Sequence, residues 1–438
     1  MSGKECFEIL DKVFSPKNKE NLDDIKGYTI KYGNIVNDRE IIDEVLVSYF
    51  KAPKSYTTED MCEINSHGGN IVMKKILELC LKNGATLAEP GEFTKRAFLN
   101  GRIDLTQAES VIDVISAKSD KEAKTAVNQL EGALSKKISE IKKEIMDVMI
   151  NIEVAIDYPE YDVEDATNKQ ILEMLNSVEN KLVKLSKSFD EGKILKEGIK
   201  TAIIGKPNAG KSSLLNAILK EERAIVTEYE GTTRDTIEEF VTIEGIPLKL
   251  IDTAGIRDTK DEVEKIGIKK SREIADTADL VIAIFDSSKK LDSEDIEILD
   301  LIKNKKSIII LNKCDLETKI DEKNTKLNEA SDYIIKISAL KNIGIDLLYK
   351  KISELFNLNQ INLDNDVLIT NIRQKDFINK AIENVKKAKE TIDKNMTSDI
   401  VAIFIKDILE DLGSITGEFV TEDIINEIFS KFCLGKWQ

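Results

Sequence analysis

The sequence predicts a multidomain α/β and α protein: an N-terminal α+β domain, a helical domain formed by two separate segments, and a doubly wound α/β domain inserted between those segments. Residues 198–358 alternate short apolar runs with helical patterns, as buried parallel strands and their crossover helices do. Helical periodicity precedes and follows that region, and each flank keeps an apolar face that needs a partner. Residues 1–100 instead mix strand-like alternation with a helix. The predicted domains are 1–102, then 103–197 together with 359–438, and 198–358.

Composition narrows the class of protein. The chain has 438 residues, 41% of them hydrophobic and 33% charged, which indicates two or three globular domains. No apolar run approaches the length of a membrane span, and the first ten residues lack a signal-peptide layout. Five widely spaced cysteines indicate reduced thiols and a cytoplasmic location, and a single histidine argues against a Cys/His zinc site. The net charge of −16 argues against general nucleic-acid coating, so a nucleic-acid substrate needs a local basic patch or a second protein.

Periodicity places the main elements. Residues 106–109 (Thr-Gln-Ala-Glu) predict a capping box with Thr106 as the cap. A long helix is expected to follow, because apolar residues spaced by three and four line one face from Leu130 to Ile152. Strands are predicted at 27–36, 44–50, 61–65, 201–204, 248–252, 280–285, 307–311 and 333–337, and further helices at 71–82, 169–191, 371–394 and 398–412.

Residues 205–212 (GKPNAGKS) fit the pattern G-x-x-x-x-G-K-S between a predicted strand and a predicted helix, which is the context of a phosphate-binding loop. Backbone N–H groups at a helix start favour an anion. Lys211 is expected to reach the outer phosphates, as a catalytic residue, and the Ser212 hydroxyl to bind magnesium. The predicted phosphate-binding residues are Asn208, Ala209, Gly210, Lys211, Ser212 and Ser213.

Two further motifs end strands of the same domain. Residues 252–255 (DTAG) supply a carboxylate for the magnesium shell and a glycine N–H that senses the γ-phosphate. Residues 312–315 (NKCD) end in a carboxylate that accepts hydrogen bonds from guanine N1–H and its amino group, an edge that adenine lacks. With residues 338–340 against the base, the motifs predict a GTP-hydrolysing switch domain. The predicted contacts are Asp252, Thr253, Ala254, Gly255, Asn312, Lys313, Asp315, Ser338, Ala339 and Leu340.

The residue that orients the attacking water is less obvious. Thr233 is the natural switch I threonine, whose hydroxyl closes on magnesium when a γ-phosphate is bound. Ras-like proteins carry a glutamine straight after the DxxG glycine, but this chain has Ile256 there. Glu262 and Glu264 are candidates, and a solvated acidic loop is the alternative. Arg223, Arg234 and Arg257 give no clear arginine finger, and a monovalent cation could supply that charge.

Four stretches together resemble the MnmE (TrmE) family of tRNA modification GTPases: residues 88–109, 205–213, 231–235 with 252–267, and 412–436. The resemblance covers essentially the whole chain. It implies an N-terminal folate-binding domain, a discontinuous helical domain and an inserted Ras-like G domain. It also implies a homodimer and an FAD-dependent partner, MnmG (GidA). Family members place an aminomethyl or carboxymethylaminomethyl group on carbon five of the wobble uridine of certain tRNAs, with formyltetrahydrofolate as the one-carbon donor.

The resemblance also implies residue roles. Asn208 matches an asparagine that coordinates potassium, and Thr227, Tyr229 and Thr232 match the loop that completes that site. Glu264 matches the family's water-orienting glutamate, which favours it over Glu262. Glu63, Arg102 and Lys436 match folate-binding positions, whereas the match at Cys433 implies no role. The loop residues expected at the nucleotide are Thr227, Glu228, Tyr229, Glu230, Gly231, Thr232 and Thr233.

Two departures and two alternatives accompany this resemblance. By comparison with the family, roughly twenty further residues are expected before Met1, with a folate-contacting arginine and a strand at the dimer interface, and the family is expected to end at the position of Lys436, which two residues follow here. One alternative is a regulatory GTPase of the ribosome-assembly type without tRNA modification activity. The other is a nucleotide-binding interaction protein. Whether Lys436 reaches a folate separates the second alternative from the leading hypothesis.

Overall fold

The structure is a computed structural model of the chain. It describes residues 1–18, 27–38, 40–157, 164–220, 224–225, 239–243, 245–251, 267–320, 325–331, 333–358 and 367–432. The chain divides into two compact units: unit 1 is Met1–Ile112, Gln129–Leu175 and Glu383–Gln438, and unit 2 is Asp113–Asn128 and Asn176–Ile382. The predicted domain boundaries stay a prediction. Within the described ranges, no helix is both long and apolar enough to cross a bilayer.

Unit 1 begins with a four-stranded antiparallel sheet and the helices that cover it. The elements are α1 (Cys6–Val13), β1 (Phe14–Pro16), β2 (Thr29–Asn37), β3 (Glu40–Phe50), β4 (Met61–Asn65), α2 (Asn70–Lys82) and α3 (Glu92–Leu99). The strand order is β1-β2-β3-β4. Alternate residues of the two long central strands point to one face and bury Ile35, Val45, Val47 and Tyr49 against the helices, as the period of two requires. This confirms the three strands predicted in this region, although β3 starts earlier than expected.

Further helices complete unit 1. They are α4 (Leu105–Ser116) up to Ile112, α6 (Ala133–Asp157), α14 (Ser398–Thr416) and α15 (Glu422–Ser430). Helix α5 (Asp120–Leu130) lies between α4 and α6 in sequence but falls mostly in unit 2. The apolar stripe from Leu134 to Ile152 is fully buried on one face of α6, and α6 packs on α14. The expectation that Leu130 belongs to this helix is wrong: Leu130 ends α5, and Gly132, with φ 84°, turns the chain before α6.

The predicted cap at Thr106 is also wrong. Asp104 caps α4: its Oδ1 accepts from the Gln107 N–H at 3.0 Å, and the Asp104 N–H donates to Gln107 Oε1 at 3.1 Å. This is the reciprocal pattern of a capping box, two residues earlier than predicted. The Thr106 hydroxyl lies inside the first turn and donates to Asp104 Oδ1 at 2.7 Å.

Unit 2 contains a seven-stranded sheet. The strands are β5 (Ile199–Ile204), β6 (Ala224–Ile225), β7 (Glu239–Ile243), β8 (Ile246–Ile251), β9 (Leu280–Asp286), β10 (Ser307–Asn312) and β11 (Ile334–Lys336). Their order is β11-β10-β9-β5-β8-β7-β6. The five strands from β11 to β8 are parallel and match the five predicted runs, whereas β7 and β6 extend the sheet as antiparallel strands that were not predicted.

The chain around this sheet also forms the helices α7 (Glu164–Glu197), α8 (Lys211–Lys220), α9 (Gly267–Thr277), α10 (Ser293–Ile302), α11 (Thr325–Ala330), α12 (Ile345–Leu355) and α13 (Ile372–Asp393). Helices α8 to α12, together with the last turn of α7, cover both faces of this sheet, and their apolar residues form two core clusters with the strands, as expected for a doubly wound fold. Helices α7 and α13 each have one part in unit 2 and the other in unit 1. Gly192 lets α7 approach the chain before α13, because a Cβ there would lie 2.1 Å from the Ile369 carbonyl oxygen.

Candidate nucleotide-binding site

The candidate site lies at the carboxyl edge of the parallel strands of unit 2. The loop 205–210 follows the central strand β5 and leads into α8, the NKCD motif begins at the end of β10, and residues 338–340 follow β11. In open α/β sheets, ligands bind in the crevice at this edge. The fold therefore brings together loops that are distant in sequence.

The phosphate-binding loop depends on a glycine at its last position. Gly210 has a φ of 106°, and a Cβ at this position would lie 2.0 Å from the Asn312 amide nitrogen. Asn208 also adopts the left-handed region, with a φ of 61°, which asparagine tolerates better than most residues. The loop thus turns tightly enough for α8 to start at Lys211, with its first N–H groups at the loop.

Lys211 is held inside this loop. Its ammonium donates to the carbonyl oxygens of Gly205 at 2.6 Å and Lys206 at 3.0 Å. Burial lowers the pKa of the Lys211 ammonium below its ordinary value, because desolvation disfavours the charged form. A phosphate oxygen would offer this half-buried cation a full negative charge in place of carbonyl dipoles.

Asn312 joins the phosphate loop to the loop after β11. The side chain is 2% exposed. Its amide nitrogen donates to the Ala209 carbonyl oxygen at 2.8 Å, and its amide oxygen accepts from the Ala339 N–H at 3.0 Å. The NKCD asparagine was predicted as a base contact, and the structure gives its amide a bridging role between the two loops.

Lys313 lies over the phosphate loop. Its ammonium donates to the Asn208 carbonyl oxygen at 2.9 Å and to Asp286 Oδ2 at 2.7 Å. Burial alone would raise the pKa of Asp286, but the bonds from Lys313 and Ser288 outweigh it and hold that pKa below its ordinary value. Asp286 therefore positions Lys313. Sequence reasoning missed it, since it belongs to no motif and ends a strand adjacent to β10.

Asp315, the predicted guanine acceptor, lies beside Ser338 and Lys341. The Lys341 ammonium is 3.3 Å from Asp315 Oδ2. The pKa of Asp315 is lowered chiefly by the adjacent Ser338 hydroxyl and also by Lys341, although the Ser338 hydroxyl falls short of a full hydrogen-bond geometry. The carboxylate is thus kept charged as an acceptor, next to Leu340, whose side chain is 84% exposed.

A second set of charges anchors the phosphate loop from outside. The Lys206 ammonium pairs with Asp292 and, at 2.9 Å, with Asp295 Oδ2. Burial lowers the pKa of Lys206, but the two carboxylates prevail and raise it overall. The same two aspartates form the capping box of α10. Aspartates at the N-cap and N3 positions could have indicated this capping box, but nothing in the sequence links the two aspartates to Lys206.

Comparison with known proteins identifies the family. The model described as the GTP-binding protein TrmE N-terminus matches residues 1–102, and the one described as the MnmE helical domain matches residues 105–433. The chain is 49% identical over 443 residues to tRNA modification GTPase MnmE of Acetivibrio thermocellus and 50% identical over 436 residues to that of Clostridioides difficile. Each alignment covers 100% of this chain and 95% of the relative. The chain belongs to the MnmE family of tRNA modification GTPases.

Solved structures similar to this MnmE-family chain include a point variant of Aquifex aeolicus Era bound to GDP·AlF4⁻. That chain is 27% identical, with a TM-score of 0.27, and the match covers 42% of this chain and 66% of that one. A superposition this loose supports no functional statement.

Several predicted MnmE-type site residues lie outside the described residues. The structure brings together Asn208–Ser213, Asn312, Lys313, Asp315 and residues 338–340. Those outside are Thr227, Glu228, Tyr229, Glu230, Gly231, Thr232, Thr233, Asp252, Thr253, Ala254, Gly255, Glu264 and Lys436, together with the alternative candidates Glu262, Arg223, Arg234 and Arg257.

Two of the residues matched to folate positions line one cavity in unit 1. Glu63 and Arg102 border a space of about 420 Å³. The Arg102 guanidinium stacks on the Tyr56 ring, with 4.7 Å between the guanidinium carbon and the ring centroid, and donates to the Tyr56 carbonyl oxygen at 3.2 Å. Tyr28 and Phe50 form an edge-to-face aromatic pair on the same wall. Aromatic rings, one carboxylate and the cations of Lys54 and Arg102 suit a flat ring that carries polar edges and an anionic tail.

Proposed function

We propose that this chain is a potassium-stimulated GTPase that modifies carbon five of the wobble uridine in certain tRNAs, together with an FAD-dependent partner of the MnmG type. At the coarser level, a member of this family is a GTP hydrolase that acts in tRNA modification. One observation supports the proposal most strongly: the Asn312 side chain bonds both to the phosphate loop, at Ala209, and to the loop after β11, at Ala339. The guanine acceptor Asp315 follows in the same motif. The chain is proposed to act as a homodimer, in which the G domains of the two copies pair when GTP is bound.

Lys211 supports the hydrolytic step. When GTP occupies the loop, the ammonium exchanges the Gly205 and Lys206 carbonyls for oxygens of the outer phosphates. Charge that develops on the transferred phosphoryl group is then stabilised by a cation already in place. Thr233 is proposed to bind magnesium through its hydroxyl when a γ-phosphate is present, and Glu264 is proposed to orient the attacking water.

The donor set suits a hard cation. Among the described residues, no group of three or more acidic, cysteine or histidine side chains could hold a metal by itself. Ser212, in the first turn of α8, supplies a hydroxyl oxygen beside the phosphate loop, and Thr233 would supply a second. Mg²⁺ usually binds one or two protein oxygens together with substrate phosphates. It would neutralise charge on the bridging phosphate oxygens.

Base selection follows from Asp315. Its lowered pKa keeps the carboxylate charged, so it accepts the two N–H groups on the guanine edge. Adenine offers an acceptor at that position, which would face a charged oxygen without a proton between them. This supports GTP over ATP.

Potassium binding is proposed at Asn208. The side chain is exposed on the phosphate loop, while its backbone is fixed by the bond from Lys313 to its carbonyl oxygen. A neutral amide oxygen suits a large monovalent cation, which would supply the positive charge that an arginine finger supplies elsewhere. Thr227, Tyr229 and Thr232 are the other proposed ligands.

Folate binding is proposed for the cavity of unit 1. Glu63 would accept N–H groups of a flat pterin-like ring, and Arg102 would pair with an anionic group. A formyltetrahydrofolate held there would supply the one-carbon unit, and Lys436 is the third proposed contact.

The experiment compares GTP hydrolysis in potassium and in sodium for the wild type, Asn208→Ala and Asn395→Ala. Asn395 is the control, because it is also exposed and has a similar left-handed φ of 51°. Potassium stimulation is expected in the wild type and in Asn395→Ala, and its loss in Asn208→Ala. Equal rates of the wild type in both salts would overturn the potassium assignment. GTP hydrolysis without wobble modification, in the presence of the FAD-dependent partner, would favour the ribosome-assembly alternative.

A further inference from the structure

Most of the short helix α5 belongs to unit 2, in a segment of the chain that lies between two segments of unit 1. Unit 2 takes Asp113–Asn128, and the chain returns to unit 1 at Gln129. Helix α4 runs without a break from Leu105 to Ser116, so its last turn belongs to unit 2 and the rest to unit 1. A displacement of α5 is therefore carried into unit 1 by a continuous helix on one side and by α6 on the other.

Helix α5 is attached to the β7–β8 hairpin of unit 2 at two points. The Lys118 ammonium, just before α5, lies 3.7 Å from the centroid of the Phe240 ring, and Phe240 is buried. The aliphatic stem of Lys121 lies against the hairpin turn, where a Cβ on Gly245 would be 3.0 Å from Lys121 Cγ. A cation over a buried aromatic face is held more strongly than one in water, because little solvent competes for it.

The position of Lys118 is itself fixed within unit 2. Glu122 Oε2 accepts from the Lys118 N–H at 2.7 Å, and the Glu122 N–H donates to the Ser119 hydroxyl at 3.2 Å. Further back, Asp113 pairs with the Lys196 ammonium at 2.8 Å. Local hydrogen bonds therefore hold the backbone from which the Lys118 side chain reaches the ring.

The hairpin lies between the two motifs that sense the γ-phosphate. In sequence, β7 follows residues 231–235, and β8 ends at Ile251, directly before Asp252. A nucleotide-dependent change at either motif pulls on a strand of this hairpin. Among the described residues, Phe240 follows residues 231–235 closely in sequence, and its ring contacts Lys118 before helix α5. A change at residues 231–235 can therefore reach α5 through Phe240.

We propose, building on the GTPase function above, that Lys118 and Phe240 are positioning residues that transmit the nucleotide state of the G domain through α5 to the helices of unit 1. Without this contact the G domain still binds and hydrolyses GTP, but the helices of unit 1 no longer change when GTP binds. Coupling between two binding sites is reciprocal. A ligand of the unit 1 cavity therefore changes the affinity for GTP by the same factor by which GTP changes the affinity for that ligand.

The test follows hydrogen exchange of the full chain with and without a non-hydrolysable GTP analogue, in the wild type, Lys118→Met and Phe240→Leu. In the wild type, the analogue should change exchange at least about twofold in α5 and in the unit 1 helices α4 and α6. Both variants should lose the unit 1 change, keep protection of the phosphate loop, and hydrolyse GTP within roughly threefold of the wild-type rate.

Controls separate coupling from loss of structure. Lys118→Arg keeps a cation over the ring and should restore the response, whereas Lys350→Met, the same substitution on the exposed side of α12, should leave it unchanged. The double variant should be no worse than either single variant, since both remove one contact. An unaltered unit 1 response in Lys118→Met and Phe240→Leu, or no response in the wild type, would overturn the coupling. Absence of GTP hydrolysis in the wild type would instead overturn the proposed function.

Discussion

Replacement of Glu122 by glutamine should stabilise the protein at alkaline pH. Glu122 is 5% exposed. Burial is the main cause that raises its pKa to about 7, and the nearby charge of Asp113 adds to it, while the Lys118 N–H and the charges of Lys118 and Lys196 oppose it. The glutamine keeps an oxygen that can accept from the Lys118 N–H but removes the ionisable group.

The sign follows from proton binding. Between the ordinary value of 4.5 and about 7, the folded carboxyl keeps a proton that the unfolded chain releases. Stability that is fully present below pH 4.5 is therefore lost as the pH rises to about 7. A shift of this size corresponds to about 3 kcal/mol at most, at roughly 1.36 kcal/mol for each pKa unit.

The assay is the thermal unfolding midpoint of the wild type and Glu122→Gln at several pH values between about 5 and 8, with the exposed Glu131→Gln as the control. The advantage of Glu122→Gln should grow with pH, to as much as roughly 6–12 °C, since 1 kcal/mol corresponds to about 2–4 °C in a unit of this size. An advantage that is constant with pH, or a wild type that is the more stable protein at the alkaline end, would refute the reasoning.

Two further substitutions test the nucleotide site. Gly210→Ala should weaken GTP binding at least about tenfold in calorimetry, because the added Cβ collides with the Asn312 amide and the φ of 106° strains it; unchanged affinity would show that the loop relaxes freely. Asp315→Asn should weaken GTP binding by roughly 10–100-fold and improve binding of xanthosine triphosphate, whose ring carries an acceptor where guanine has its amino group; equal losses for both nucleotides would contradict the assigned role.

The sequence predicts the parallel core of unit 2 well, because buried parallel strands are continuous β-branched runs such as 307–312. It does not reveal β7, whose five residues begin with a glutamate and do not alternate in polarity, and which is recognised only by its pairing with β8. The cap of α4 was misplaced, since Asp104 and Thr106 both begin an acceptable capping pattern and only the geometry chooses between them.

The residues of the candidate site also fall into those that the sequence predicts and those that only the structure reveals. Motif residues such as Lys211 and Asp315 are visible in sequence, because phosphate and guanine impose fixed residue types at fixed spacing. Asp286 and the pair of aspartates that hold Lys206 are not, since their roles arise from adjacency of strands and loops. Glu122 was missed for a related reason: a glutamate in an amphipathic helix gives no sign that the fold buries it.

The bridging amide of Asn312 has a consequence for how ligand fragments bind. Since one buried side chain joins the phosphate loop to the loop after β11, the two halves of the crevice hold each other in place. A guanosine without phosphates and a pyrophosphate without a base would each meet a surface already shaped for it, at little cost in loop ordering. The two ends of GTP then contribute nearly independently to its affinity, and the strength of one end does not depend on occupancy of the other.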